Sequence, residues 1–421
     1  KDLQVHSRDL ASLAGEETIF GGLAAEKLKR LQAELEPLSR RYDVVVANPP
    51  YMGSSSLGKW MGAWAKKHYP EAYRDLCTSF IDRGFGMSAD DGYSAMVTMQ
   101  SWMFLGSFEK LRGKILRNHS VSSMAHLGTR AFGAIGGEVV STTATVLTNA
   151  KSEVKGAYFR LVDMGSEEEK QAGLLEALAH PNCGWFYRTD ASSFEAIPGN
   201  PIAYWATASI ISAFNNPLLG DLIPVKKGLD TGDNDTFLRL WHEVSISRMG
   251  IGSKNQKEFF ASRAKWAPHD KGGEYRKWYG NKEWVINWEN NGSALKSSSA
   301  NLRSERYYFN DAVTWNSLSS GLCSFRLSDY GAISNTAGSS MFPRQETLLY
   351  LALMNSSVVR RLFEFLAPTL NYSAGPVGQI PRACITHKAV IEGLASDSVA
   401  NVKQDWNSFE TSWDFTRHPL V

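Results

Sequence analysis

The chain has 421 residues, of which 43% are hydrophobic and 21% charged, with a formal net charge of +2. That describes an ordinary soluble protein with sizeable cores and room for two or three domains, and no run approaches the roughly 20 apolar residues that would span a bilayer. The net charge is too small to establish a nucleic-acid partner by itself, although 12 Lys/Arg face 6 Asp/Glu between Arg248 and Arg306.

In chain order, Leu28, Leu31, Leu35 and Leu38 keep helical spacing and predict an amphipathic helix up to about Pro37. Residues 42–47, Tyr-Asp-Val-Val-Val-Ala, predict a buried strand. A helix over 71–87, a strand over 93–99 and a helix over 107–117 follow. Two further strands, near 121–127 and 138–148, flank a Gly-rich connection at 128–137. This alternation predicts a doubly wound α/β sheet, whose ligands bind beyond the carboxyl ends of its strands. A short strand at 157–162 and an acidic helix at 166–180 close the layer. After Pro198 the character changes: strand fragments, Trp-rich loops and Gly/Ser/Asn breaks dominate from 221 to 341, and a helix is expected over 346–366. The expected division is a first domain over 1–165, a connector over 166–220 and a separate α+β region over 221–421.

The first strand runs into Asn48-Pro49-Pro50-Tyr51. The Asn48 side-chain oxygen and the Pro49 carbonyl can both accept from one exocyclic amino group. Two acceptors favour the pyramidal amine, which exposes its lone pair to an electrophilic methyl group. The prolines fix φ and remove competing backbone donors. Tyr51 offers a flat face on which an extruded base can stack. Nine histidines and four cysteines show no paired metal-ligand spacing, so no metal site is expected. The scattered cysteines make a reducing cytoplasm the expected compartment.

Tyr-Asp-Val-Val-Val-Ala-Asn-Pro-Pro-Tyr-Met-Gly resembles motif IV of N6-adenine DNA methyltransferases. Arg74-Asp75-Leu76-Cys77-Thr78-Ser79-Phe80 stands where that family has its motif V helix. Gly136-Gly137-Glu138-Val139-Val140, Gly228-Leu229-Asp230-Thr231-Gly232-Asp233-Asn234-Asp235-Thr236-Phe237 and Arg276-Lys277-Trp278-Tyr279-Gly280-Asn281 are similar to the PglX type, the large methyltransferases of BREX phage-defence systems. The resemblance implies S-adenosylmethionine as cofactor, with Leu76 and Phe80 lining its adenine pocket. It also implies double-stranded DNA as substrate, further defence-system subunits as partners, no membrane, and a polar loop at Ser54-Ser55-Ser56 closing over the target base. Two departures stand out. The expected Gly-rich cofactor loop is not found before Asn48, which reads as the C-terminal half of a Rossmann-like methyltransferase domain. Thr145 stands where an aromatic that packs on the flipped base is expected. The alternative reading is a catalytically incomplete DNA-binding or assembly subunit that keeps the half-fold.

Residues 259–288 interleave eight aromatics with Lys265, Lys271, Arg276, Lys277 and Lys282. Cations that neutralise phosphates beside aromatics that stack predict DNA contact, while aromatics filling a core behind solvated cations is the plainer account. The loop at 228–236, with Thr231 between Gly228 and Gly232, could approach a DNA backbone or simply turn a hairpin. Thr231, Lys265, Lys271, Arg276 and Lys277 are the expected DNA-contacting residues, the region from 221 onward being the target reader.

Overall fold

The computed structural model describes residues 21–132, 140–319, 321–368 and 371–420. The chain divides into two units, Lys1–Ala206 and Thr207–Val421. Among the described residues no helix is long and apolar enough to cross a membrane.

In the first unit helix α1, Gly21–Ser39, continues through Pro37 rather than stopping before it. The Val-rich strand β1, Tyr42–Ala47, follows. Helix α2, Lys59–His68, and helix α3, Leu76–Met87, then lead into strand β2, Ser88–Met99. The predicted helix over 71–87 starts later, at Leu76, because Asp75 caps it: its carboxylate accepts from Cys77 N at 2.9 Å. Helix α4, Glu109–Asn118, is followed by β3, Ser120–Gly128, β4, Thr142–Thr148, and β5, Gly156–Arg160. The acidic segment forms helix α5, Glu167–Ala179, capped by Ser166, before strand β6, Phe186–Thr189.

These strands form one six-stranded sheet in the order β1-β2-β4-β3-β5-β6. Strand β2 runs parallel to β1, and β5 parallel to β3. Strand β4 is antiparallel to both its neighbours, β2 and β3. The sheet is therefore mixed, with helices packed against it. Trp102, Met103, Leu111, Ile115 and Met124 lie fully buried in its core. The parallel pairing puts Asn48 and Gln100, each the first residue after its strand, on the same carboxyl edge of the sheet. Part of the expected Gly-rich connection, 133–139, lies outside the described residues.

The second unit holds two four-stranded sheets. One has the order β13-β9-β10-β8 and the other β12-β11-β14-β7. In the first, β8 is Leu238–Leu240, β9 Trp266–Asp270, β10 Trp284–Asn287 and β13 Ile333–Ser334. In the second, β7 is Val225–Lys226, β11 Ala312–Asn316, β12 Phe325–Ser328 and β14 Gly338–Met341. The helix expected over 346–366 is two helices, α6 at Thr347–Met354 and α7 at Ser357–Leu366. Two side chains account for the break. Ser356 caps α7 by accepting from Val359 N. Asn355 turns toward β12, accepting from Phe325 N at 3.2 Å and donating to Phe325 O at 3.0 Å. A final helix, α8, spans Lys388–Trp406.

Candidate functional site

Asn48 to Tyr51 leave β1 at its carboxyl end. Pro49 is buried while Asn48 and Pro50 are exposed, so the turn is seated by one proline and presents the amide outward. Tyr51 donates its hydroxyl to Asn48 Oδ1 at 3.2 Å. Burial, and secondarily the nearby Cys77, raise the Tyr51 phenol above its ordinary value. The hydroxyl stays protonated and remains a donor at neutral pH.

Asp75 holds this turn. Its Oδ1 accepts from Met52 N at 3.3 Å as well as from Cys77 N at 2.9 Å. One carboxylate oxygen thus ties the residue after Tyr51 to the first turn of α3. Ser54 N donates to Arg74 O at 2.8 Å and Leu76 N to Met52 O at 2.9 Å, closing a short antiparallel contact around it. Sequence reasoning missed this role: a helix begun at 71 puts Asp75 inside it, and the reach back to Met52 has no local signal. Cys77 beneath is fully buried, and burial, with Asp75 next, pushes its thiol well up. It is a packed group, not a nucleophile.

Leu76 and Phe80 sit four residues apart on α3. Phe80 is 38% exposed while Cys77 and Ile81 of the same helix face the core. The two therefore share an open apolar face. Thr145 lies in mid-strand, paired with Met96 of β2 and Met124 of β3, and is buried.

A second group on the carboxyl edge escaped sequence reasoning. Gln100 Oε1 lies 2.7 Å from His126 Nε2, and Tyr204 Oη lies 3.0 Å from His126 Nδ1. Gln100 as acceptor requires the Nε2–H tautomer, which leaves Nδ1 to accept from Tyr204. Burial pulls the His126 pKa down to about 3, with Arg160 and Lys170 adding to the effect. The imidazole is neutral and fixes the Gln100 amide. Residues 78 positions apart carry no local signal that they meet.

In the second unit, Thr231 is buried and donates its hydroxyl to Asn234 Oδ1 at 2.6 Å, so it shapes its own turn. Lys265 lies 3.8 Å from Glu289 and over the Trp266 ring. Lys271 stands 3.6 Å from the centroid of Trp284. Arg276 lies over Trp406 at 4.9 Å and within 3.7 Å of Asp405. Lys277 donates to Asn355 O at 3.3 Å. Each of these four cations therefore has a partner within its unit. Among the interleaved aromatics Phe259, Tyr279 and Trp288 are core, whereas Phe260 and Tyr275 are more than half exposed. The described residues hold no cluster of His, Cys, Asp and Glu suited to a metal ion.

Residues 18–132, which include this turn and its Asp75 support, match the family described as Eco57I restriction-modification methylase. The chain is 42% identical over 437 aligned residues to the adenine-specific methyltransferase BrxX of Escherichia coli O9:H4 (strain HS). Along its whole length the chain is similar to this methyltransferase. That alignment covers 100% of this chain and 35% of the relative. The adenine-specific methyltransferase PglX of Lacticaseibacillus casei (strain Zhang) is 39% identical over 409 residues, covering 94% of this chain and 34% of its own length. The chain thus spans about a third of the curated relatives it matches. Among solved structures, the type IIL restriction-modification enzyme MmeI in complex with DNA aligns with a TM-score of 0.55 at 12% identity, over 88% of this chain and 50% of that one. At that identity the likeness is one of fold.

Proposed function

We propose that the chain carries the target-base site and a DNA-contacting region of an N6-adenine DNA methyltransferase acting in phage defence or restriction-modification. The observation that carries this is the turn itself. An exposed asparagine oxygen next to a prolyl carbonyl stands at the carboxyl end of a parallel strand, held by Asp75. Asn48 and Pro49 would accept from the adenine amine and leave its lone pair directed outward. Pro50 would set the turn and Tyr51 would stack on the base. The amine is itself the nucleophile, so no covalent enzyme intermediate is needed.

S-adenosylmethionine supplies an electrophilic methyl group. The half-open apolar face of Leu76 and Phe80, beside this turn in the sequence of elements, suits the flat adenine ring of such a cofactor. Strand β1 is an edge strand with Val44 55% and Val46 75% exposed. Valines exposed at the edge of the sheet formed by the described residues suit packing against a further element of a doubly wound sheet. On this reading the first unit is the second half of a Rossmann-like domain.

The experiment is single-turnover methylation by the full-length protein. Asn48→Ala should abolish adenine methylation and leave DNA affinity nearly unchanged, because the side chain acts only at the reacting nitrogen. Normal methylation by that variant would sink the assignment.

A further inference from the structure

The chain between Ser54 and Arg74 is a closed excursion from the proposed base site. Its ends are joined through the Ser54–Arg74 and Met52–Leu76 backbone hydrogen bonds, so its base lies beside Tyr51. The excursion carries α2, of which Ala65 alone is buried. The rest of the helix is not a simple solvated surface. Trp60 is 73% exposed, Trp64 39% and Met61 36%. Trp60 and Trp64, four residues apart, share one face. Trp64 is braced by stacking on His68 at 4.8 Å between ring centroids. Trp60 has no ring contact among the described residues.

Charge singles out the same element. From Val44 to Pro70 the sequence contains Lys59, Lys66 and Lys67 and no Asp or Glu. None of the three lysines forms an ion pair among the described residues. Lys66 instead lies 6.0 Å from the Tyr73 ring centroid, with Arg74 over the same ring at 4.8 Å. Exposed large aromatics rimmed by unpaired cations mark an interaction surface, and the excess of uncompensated positive charge selects a polyanion.

We propose that α2 is a duplex-DNA wedge: Lys59, Lys66 and Lys67 contact phosphates, and the Trp60 indole enters the base stack. The inference rests on the base-site reading, since an extruded adenine is what leaves a gap to fill. Removing a base from the duplex forfeits stacking on both of its faces. An aromatic inserted into the vacancy recovers part of that loss and holds the extruded state open. Trp60 is the exposed, unbraced ring on an element anchored at that site.

The test compares binding of the full-length protein to two labelled duplexes, one intact and one with a single abasic site. The native protein should prefer the abasic duplex, whose gap is already formed. Trp60→Ala should reduce that preference about five-fold or more, the usual effect of removing one stacking partner, while affinity for intact duplex changes little. Lys66→Gln with Lys67→Gln should weaken both duplexes alike and flatten the log–log salt slope by up to about two units. Trp60 is largely exposed, so its replacement leaves the fold intact. Equal affinity of the native protein for the two duplexes, or a preference that survives Trp60→Ala, would overturn the wedge. An unchanged salt slope would overturn the phosphate contacts and leave the helix to another polypeptide segment. Normal methylation by Asn48→Ala would sink the base-site reading while leaving these DNA results in place.

Discussion

The Tyr51 hydroxyl donates to Asn48 Oδ1 at 3.2 Å, the same oxygen proposed to accept from the adenine amine. The two uses compete for one acceptor. A base entering the site must either share that oxygen, which has two lone pairs, or displace the tyrosine. A displaced Tyr51 is free to turn its ring to the base. The contact is therefore read as a latch that keeps Asn48 oriented between substrates.

Tyr51 variants separate the ring from the hydroxyl. Tyr51→Phe keeps the stacking face and loses the latch, so target-base binding should change only slightly. Tyr51→Ala should weaken binding of the extruded base by about 1–3 kcal/mol. Fluorescence of an adenine analogue at the target position measures both. Equal losses in the two variants would place the function in the hydroxyl instead.

Asp75 offers a structural test of the same turn. Asp75→Ala removes an N-cap and the anchor on Met52 together, and should cost about 0.5–2 kcal/mol in urea unfolding. It should also lower the methylation rate of the full-length protein, because the turn loses its seat. Asp75→Asn keeps an acceptor oxygen and should rescue most of both effects. Failure of Asn to rescue methylation would mean that the negative charge matters beyond the cap.

The sequence made parts of this arrangement legible and left others hidden, for physical reasons. The Val-Val-Val run and the Asn-Pro-Pro-Tyr turn are local: a β-branched strand and two fixed φ angles need no distant partner to be recognised, but the expected burial of that strand was wrong, because β1 lies at the sheet edge with Val44 and Val46 exposed. Helix α5 announced itself through three glutamates in its first turn, and Ser166 caps it in the structure. The mixed order of the sheet was not legible, because inserting β4 antiparallel between β2 and β3 is a pairing decision between remote segments. The Gln100–His126–Tyr204 group is hidden for the same reason. The 346–366 helix was misjudged because its apolar spacing continues across Asn355, and only the bonds to Phe325 reveal why the chain breaks there. Thr231 looked available in a glycine loop, yet its hydroxyl is spent on Asn234 within the turn.

Arg276 and Lys277 test the second unit as a DNA reader. Both have internal partners, Asp405 with Trp406 and the Asn355 carbonyl respectively, so each must give up a contact to reach phosphate. If both do so, Arg276→Gln with Lys277→Gln should flatten the salt slope of duplex binding by up to about two units. A changed sequence preference at constant slope would place them at base edges. No change in either measurement would assign them to internal packing alone.

Lys282 should make the second unit sensitive to pH. Its side chain is 2% exposed, its ammonium lies 3.5 Å from the Tyr279 ring centroid and 3.6 Å from that of Tyr330, and Asp329 is 3.6 Å away. Burial lowers its pKa to about 7, against opposing attraction from Asp329 and Asp270. The unfolded chain keeps the ordinary lysine value near 10.4. Between about pH 7 and pH 10 the unfolded state thus binds more protons, and stability should rise with pH across that window. The gain is complete above the unfolded value and is lost as pH falls through about 7. Lys282→Met keeps the length and removes the titration, so the rise should vanish. At pH 6 the variant should be as stable as the native protein or more stable by about 1–4 kcal/mol, as when buried ion pairs give way to apolar packing. Urea unfolding at pH 6 and pH 9 decides the matter. A native protein with equal stability at both pH values, or a methionine variant that keeps the rise, would mean that other groups set the pH response and that Lys282 stays charged within its tyrosine pair.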